Sequence, residues 1–188
     1  MLMTLKLESA LRRAAFNHRA QKRRGSDVPY VEHVVGVAMI LDRLGFPEDV
    51  VIAGLLHDLV EDTGATVAQV RSEFGEEVAE VVHFCSEVKL DEQGLKRPWI
   101  DRKRDHLREV EHATNAARAV VLADKLHNLV SIQLDLEAGR PVWASFHAGR
   151  EEVLWYYRSM IEICERNDAR LERLGRECRT VLSVVESL

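Results

Sequence analysis

The chain has 188 residues, of which 46% are hydrophobic and 30% charged, a soluble globular balance that excludes collagen-like, disulfide-dense and intrinsically disordered classes. Its length suits one compact domain over residues 1–188 and would leave two full domains cramped. The formal net charge of -5 and a pI near 5.9 weigh against a general nucleic-acid binder, which is basic over most of its surface.

The cysteines Cys85, Cys164 and Cys178 have no CxxC spacing, so neither a disulfide framework nor a thiolate zinc site is expected, and a reduced, cytoplasmic setting follows. No apolar run approaches the roughly 20 residues that span a bilayer. Residues 1–7 lack the apolar region and cleavage site of a secretory signal, so no membrane partner is expected.

In chain order, Leu7, Ala10, Leu11, Ala14, Ala15 and His18 mark one helical face, which predicts a helix over about 5–23. Residues 25–29 break it. Val31, Val34, Val35, Ala38 and Leu41 carry a second helix up to Gly45. Pro47, Glu48 and Asp49 form a favourable first turn for a third, which is expected to run to about Asp62 and stop at Gly64. Thr66 and Gln69 read as a capping box, and a further helix is expected over 76–88. Residues 89–98 are polar, hold Gly94 and read as the long loop. Helices over 99–113 and 114–138, a break at Pro141 and two more helices up to 188 complete an all-α bundle. Residues 119–123 alone have strand character, and nothing alternates to pair with them.

The predicted third helix ends in Leu55-Leu56-His57-Asp58-Leu59-Val60-Glu61-Asp62-Thr63. His57 and Glu61, like Asp58 and Asp62, are four apart, so two stripes of ligand-type groups project together. Three acids at the negative end of a helix repel one another, and a metal ion is the simplest compensation. A solvated helix end with a satisfied histidine is the alternative. Asp124 sits in the apolar run Ala119-Val120-Val121-Leu122-Ala123-Asp124-Lys125-Leu126, where an unpaired carboxylate is costly. Lys125 is not expected to share its face, since neighbouring helical residues point about 100° apart; an interhelical ion pair is the alternative to a site. Asn128 adds a polar group one turn on, whereas His33 is uninformative alone.

Together His33, His57, Asp58 and Asp124 give the order His, His-Asp, Asp, and this resembles the ligand series of the HD superfamily of metal-dependent phosphohydrolases. Gln21-Lys22-Arg23-Arg24-Gly25, Pro29-Tyr30 and His33, the segment around His57, and Leu122-Ala123-Asp124-Lys125-Leu126-His127-Asn128-Leu129 are similar to the hydrolase domain of the RelA/SpoT family, over about residues 8–165. The similarity is greatest to its short, single-domain hydrolases, the metazoan SpoT homologues among them. The resemblance implies an HD-type bundle in which His33, His57, Asp58 and Asp124 hold one manganese ion. Glu61 and Asp62 match the catalytic pair that positions and deprotonates the metal-activated water. Arg23 matches the arginine that packs on the guanine base, Arg24 lies beside it, Asn128 matches a nucleotide-contacting asparagine, and Lys125 falls where the family has a basic residue. The implied reaction removes the 3′-pyrophosphate of (p)ppGpp, leaving GDP or GTP and pyrophosphate, with a small nucleotide as the partner.

Such a substrate is strongly anionic. Residues 6–24 hold seven basic side chains against one acid and residues 96–108 hold six against two, so Arg102, Lys103 and Arg104 become candidate phosphate contacts, with solvated helix faces as the alternative. Val34 stands where the family commonly has proline, and residues 86–104 differ more. That departure keeps open another nucleotide substrate, a nucleoside monophosphate or the 2′-phosphate of NADPH, and, less strongly, a non-catalytic nucleotide-sensing domain. Only 60 residues follow Asn128, so no synthetase region is expected. Leu154-Trp155-Tyr156-Tyr157-Arg158 reads as core in preference to a box for a base. His83, His106, His112 and His147 match no ligand spacing.

Overall fold

A computed structural model describes residues 3–188; the first two residues of the amino-terminal stretch discussed above lie outside it. The described chain is all-α. Its helices are α1 (Leu5–Asn17), α2 (Val31–Arg43), α3 (Glu48–Leu56), α4 (Leu59–Thr63), α5 (Val67–Phe74), α6 (Glu76–Cys85), α7 (Trp99–Glu111), α8 (Asn115–Glu137), α9 (Arg150–Cys164) and α10 (Ala169–Ser187). A 3-10 turn lies at Val142–Ser145. Among the described residues the only β-type pairings are the isolated bridges of Lys22 with Pro29 and Leu90 with Lys96. Among the described residues no helix is long and apolar enough to cross a membrane.

The whole of α3 and the first half of α8 carry continuous apolar runs and therefore lie inside. All of Val50, Val51, Ile52, Ala53, Gly54, Leu55 and Leu56 in α3 are buried, as are Ala119 to Ala123 in α8, which form helix and not strand. α8 packs against α2, α3, α6, α9 and α10, and the buried side chains form one continuous core. Thr4 and Thr114 cap α1 and α8 through their side chains, and the Thr66–Gln69 capping box forms as its spacing predicts.

Three boundaries differ from the sequence pattern, and each difference serves the same cleft. α1 stops at Asn17 and not near Arg23, because the basic run beyond it has no apolar stripe to dock and helical stability comes mainly from such docking. The chain instead folds back, with Arg23 N–H donating to Val28 O at 2.8 Å and Tyr30 N–H to Gln21 O at 2.9 Å. The third helix breaks at His57-Asp58. The His57 imidazole Nδ1 donates to Gly54 O at 2.8 Å, the acceptor that a continuous helix would offer to the Asp58 amide. α4 then ends at Gly64, whose φ of +74° suits glycine alone without strain. α6 ends at Cys85, after which Glu87 turns inward to charged groups on α7.

Candidate active site

The end of α3, the start of α4, α2 and α8 converge on one point. His33, His57 and Asp58 each bring a ligand-type atom within 4.8 Å of the others. Asp124 Oδ1 lies 3.2 Å from His33 Nε2 and 4.0 Å from His57 Nε2, so all four residues singled out from the sequence meet although they span 91 positions. Both histidines are almost wholly buried, and the two carboxylates are 14–15% exposed. Tyr30 O–H donates to Asp58 Oδ2 at 2.6 Å.

The donor set fits a divalent metal on a specific observation. His57 commits Nδ1 to the Gly54 carbonyl, which leaves Nε2 buried and without a hydrogen-bond partner, 2.9 Å from Asp58 Oδ2 but off a bonding line. Mixed imidazole and carboxylate ligands suit borderline-hard divalent ions. The electrostatics ask for a cation at this point. Burial disfavours a charged His57, yet Asp58 and Asp124 outweigh it and raise its pKa to about 9. Burial likewise opposes charge on Asp58 and Asp124. The imidazoles, with Lys125 for Asp124, hold both carboxyls well below the usual range. Tyr30 shifts upward through burial and the Asp58 charge.

Glu61 and Asp62 follow on α4. Lys89, from the loop after α6, reaches Glu61 Oε1 and the Glu61 carbonyl at 3.1 Å and Asp62 Oδ1 at 2.8 Å. Gln21 donates to Asp62 Oδ2 at 2.9 Å, and the Glu87 amide donates to Glu61 Oε2 at 3.2 Å. Burial, with Asp58 and Glu87 nearby, pushes the Glu61 pKa up, which makes it a stronger base than an ordinary carboxylate.

These groups lie in a cleft of about 1,150 Å³ that Arg23, Arg24, Lys125 and Asn128 also line. Arg23 Nη2 donates to Asn128 Oδ1 at 2.6 Å, and its guanidinium lies 5.6 Å from the centre of the Tyr30 ring. Arg24 sits over Phe146. Asn128 also donates to Asp124 Oδ1. Lys125 corrects the expectation from helical spacing: although adjacent to Asp124, its long stem curls back so that Nζ meets Asp124 Oδ2 at 2.6 Å. Lys125 is consequently buried, with Nζ 5.3 Å from the centre of Tyr156.

Of the α7 cations, Arg102 and Lys103 bond Glu87 at the cleft wall, whereas Arg104 is exposed and outside the cleft. The aromatic segment packs as core through Tyr156 and Tyr157, and both also line the cleft. Sequence reasoning left Tyr30, Glu87, Lys89, His106 and His127 without a role. His106 is buried between Tyr156 O–H at 2.8 Å and Phe84 O at 3.0 Å. His127, one turn beyond Asp124, lies against His33, and burial together with His33 lowers its pKa to about 4. Spacing from Asp124 was the available signal for His127; Glu87 had none, because its partners come from another helix.

The HD-domain family model matches residues 10–154. The chain belongs to the HD-domain family. Among its relatives, guanosine-3′,5′-bis(diphosphate) 3′-pyrophosphohydrolase MESH1 of Mus musculus is 38% identical over 145 residues, which cover 76% of this chain and 75% of the relative. MESH1 of Drosophila melanogaster is 33% identical over 170 residues, 89% of each chain. A solved structure described as a metazoan ortholog of SpoT that hydrolyzes ppGpp and plays a role in starvation responses superimposes with a TM-score of 0.75 at 30% identity, covering 95% of this chain and 96% of that one.

Proposed function

We propose that this HD-domain chain is a metal-dependent phosphohydrolase that removes the 3′-pyrophosphate of (p)ppGpp, giving GDP or GTP and pyrophosphate. The observation that carries the reading is the convergence of His33, His57, Asp58 and Asp124 beside Glu61 and Asp62, in a cleft that also holds Arg23, Arg24, Lys125 and Asn128. The activity named for the relatives at 33% and 38% identity supports it.

In this reading His33, His57, Asp58 and Asp124 hold one manganese ion. When bound, a divalent ion supplies positive charge to the phosphoryl oxygens and acidifies water. Glu61, with its raised proton affinity, takes a proton from water as the water oxygen bonds to the phosphorus beside O3′. The phosphorus–O3′ bond breaks, O3′ takes a proton from solvent as Glu61 returns the one it accepted, and pyrophosphate leaves. Asp62, held by Gln21 and Lys89, orients the water with Glu61. Arg23 stacks on the base and Asn128 contacts the nucleotide, while Arg24 and Lys125 offset phosphate charge. One domain over residues 1–188 performs the reaction, and its three free, buried cysteines suit a reducing cytoplasm.

The Lys89 contacts favour a second reading, in which the departing 86–104 segment reshapes the phosphate end of the cleft for a nucleoside monophosphate or the 2′-phosphate of NADPH. A panel of ppGpp, NADPH and nucleoside monophosphates, incubated with manganese, separates the two by whether pyrophosphate or orthophosphate is released. Pyrophosphate from ppGpp is the expected result. Its absence where a known family hydrolase turns over would overturn the reading.

A further inference from the structure

The ligand set explains one face of His33; the opposite face carries a second arrangement. His33 Nε2 is turned to Asp124 Oδ1 at 3.2 Å and Asp58 Oδ2 at 3.5 Å, whereas Nδ1 lies 3.0 Å from Nδ1 of His127. The two rings meet edge to face, 4.9 Å between centroids and 65° between planes. His127 Nε2 lies in turn 3.2 Å from Oε1 of Glu32, the residue before His33. The order along the line is therefore carboxylate, imidazole, imidazole, ligand point.

Between two neutral imidazoles, one Nδ1 must donate and the other accept. If His127 donated, the His33 proton would sit on Nε2, facing two carboxylates with no lone pair to give. If His33 donates, its Nε2 lone pair is available, and the His127 proton moves to Nε2, opposite Glu32. An ionised carboxylate only accepts, so Asp58 and Asp124 favour the first arrangement while no cation faces them, and Glu32 favours the second, the one that a cation at the ligand point requires. The backbone accommodates the extra ring at one position: a Cβ on Gly36, one turn beyond Glu32 on α2, would come 2.2 Å from His127 Cδ2 and 2.3 Å from its Nε2. Any other residue there would displace His127.

We propose that His127 and Glu32 are positioning residues that fix His33 in the tautomer able to bind a divalent metal through Nε2. This rests on the reading of His33 as a metal ligand. Partners behind a ligating histidine orient it, and their loss commonly weakens metal affinity about ten- to a hundredfold.

The test is calorimetric titration of manganese(II) alone into the metal-free full chain. His127→Phe keeps the ring and removes both nitrogens, and it is expected to weaken affinity about ten- to a hundredfold. His127→Asn, whose Oδ1 can accept where Nδ1 did, is expected to recover most of that loss. Glu32→Ala should weaken binding less than His127→Phe, and Glu32→Gln, which keeps an acceptor, should stay near wild type. Wild-type affinity in His127→Phe, or an equal loss in His127→Asn and His127→Phe, would overturn the relay and leave the metal reading intact. Should His127→Phe not fold, the half-exposed Glu32 carries the test, and wild-type affinity in Glu32→Ala overturns the proposal. Failure of the wild-type chain itself to bind manganese would overturn the metal reading and the relay with it.

Discussion

Glu87 and Asp58 are both carboxylates withdrawn from solvent, with 5% and 15% of their side chains exposed, yet their surroundings differ in kind. Glu87 is enclosed by side chains of one helix: the cations Arg102 at 3.0 Å and Lys103 in direct contact, and the His106 imidazole at 3.6 Å. Asp58 faces Tyr30 and the Nε2 atoms of two imidazoles whose Nδ1 atoms are committed elsewhere, and it shares the space with a second carboxylate, Asp124. Both groups flank Glu61, Asp58 three residues before it and Glu87 through an amide bonded to its carboxylate. The difference teaches how to tell a structural ion cluster from a binding site. A structural cluster closes on itself, with every charge answered by protein; a binding site leaves ligand atoms pointing at one another, and only an outside cation resolves them.

The largest expected effect breaks the open side. Asp58→Ala removes one proposed ligand and is expected to lower phosphohydrolase turnover by about three orders of magnitude or more, since a catalytic metal supplies several kcal/mol of transition-state stabilisation. Manganese binding by calorimetry should fall with it, while the far-ultraviolet circular dichroism stays helical. Retained turnover would mean that Asp58 is answered within the protein, as Glu87 is. The next effect breaks the closed side. Glu87→Ala leaves Arg102 and Lys103 facing an empty partner position, which is expected to cost about 3 kcal/mol of stability in urea denaturation. Manganese affinity should change little. The opposite result, intact stability with lost metal binding, would make the cluster part of the site.

The two sides were also unequally legible. Apolar periodicity located the helices because burial of α3 and α8 is written into consecutive residues. Asp124 was visible as an acid in an apolar run, and His57-Asp58 as charges closing an apolar helix. Helix ends were less legible, since the end of α1 depends on what the basic run docks against, and the break at Asp58 depends on an imidazole taking a backbone carbonyl. Glu87 and Lys89 lay in a polar stretch that no local pattern distinguishes from solvent-exposed loop. Their partners, Arg102 and Lys103 for one and Glu61 and Asp62 for the other, are 15 to 28 residues away and meet them only when α4, α6 and α7 assemble. Lys125 was misjudged because Cα–Cβ directions describe short side chains, and a lysine stem is long enough to turn back.

The smallest expected effect sharpens the same comparison through pH. Burial alone would raise the Glu87 pKa, but the His106 imidazole close by and the charge of Lys103 outweigh it and hold the carboxyl far below its ordinary 4.5. A carboxyl with a depressed folded pKa adds stability that is complete above its unfolded value and is lost as pH falls toward the folded one. Unfolding free energy should therefore decline from about pH 5 downward. Asp58 and Asp124 contribute in the same direction, so the wild-type curve alone does not separate the two sides. Glu87→Gln does: it removes one titrating group, and its acid limb should be shallower than wild type by up to about 1.4 kcal/mol per pH unit, the equivalent of one proton. Manganese should stabilise wild type and Glu87→Gln alike, because the proposed ion site lies on the open side. Parallel acid limbs in the metal-free proteins would show that Glu87 keeps its ordinary affinity for protons, and the closed cluster would then lose its distinction from the site beside it.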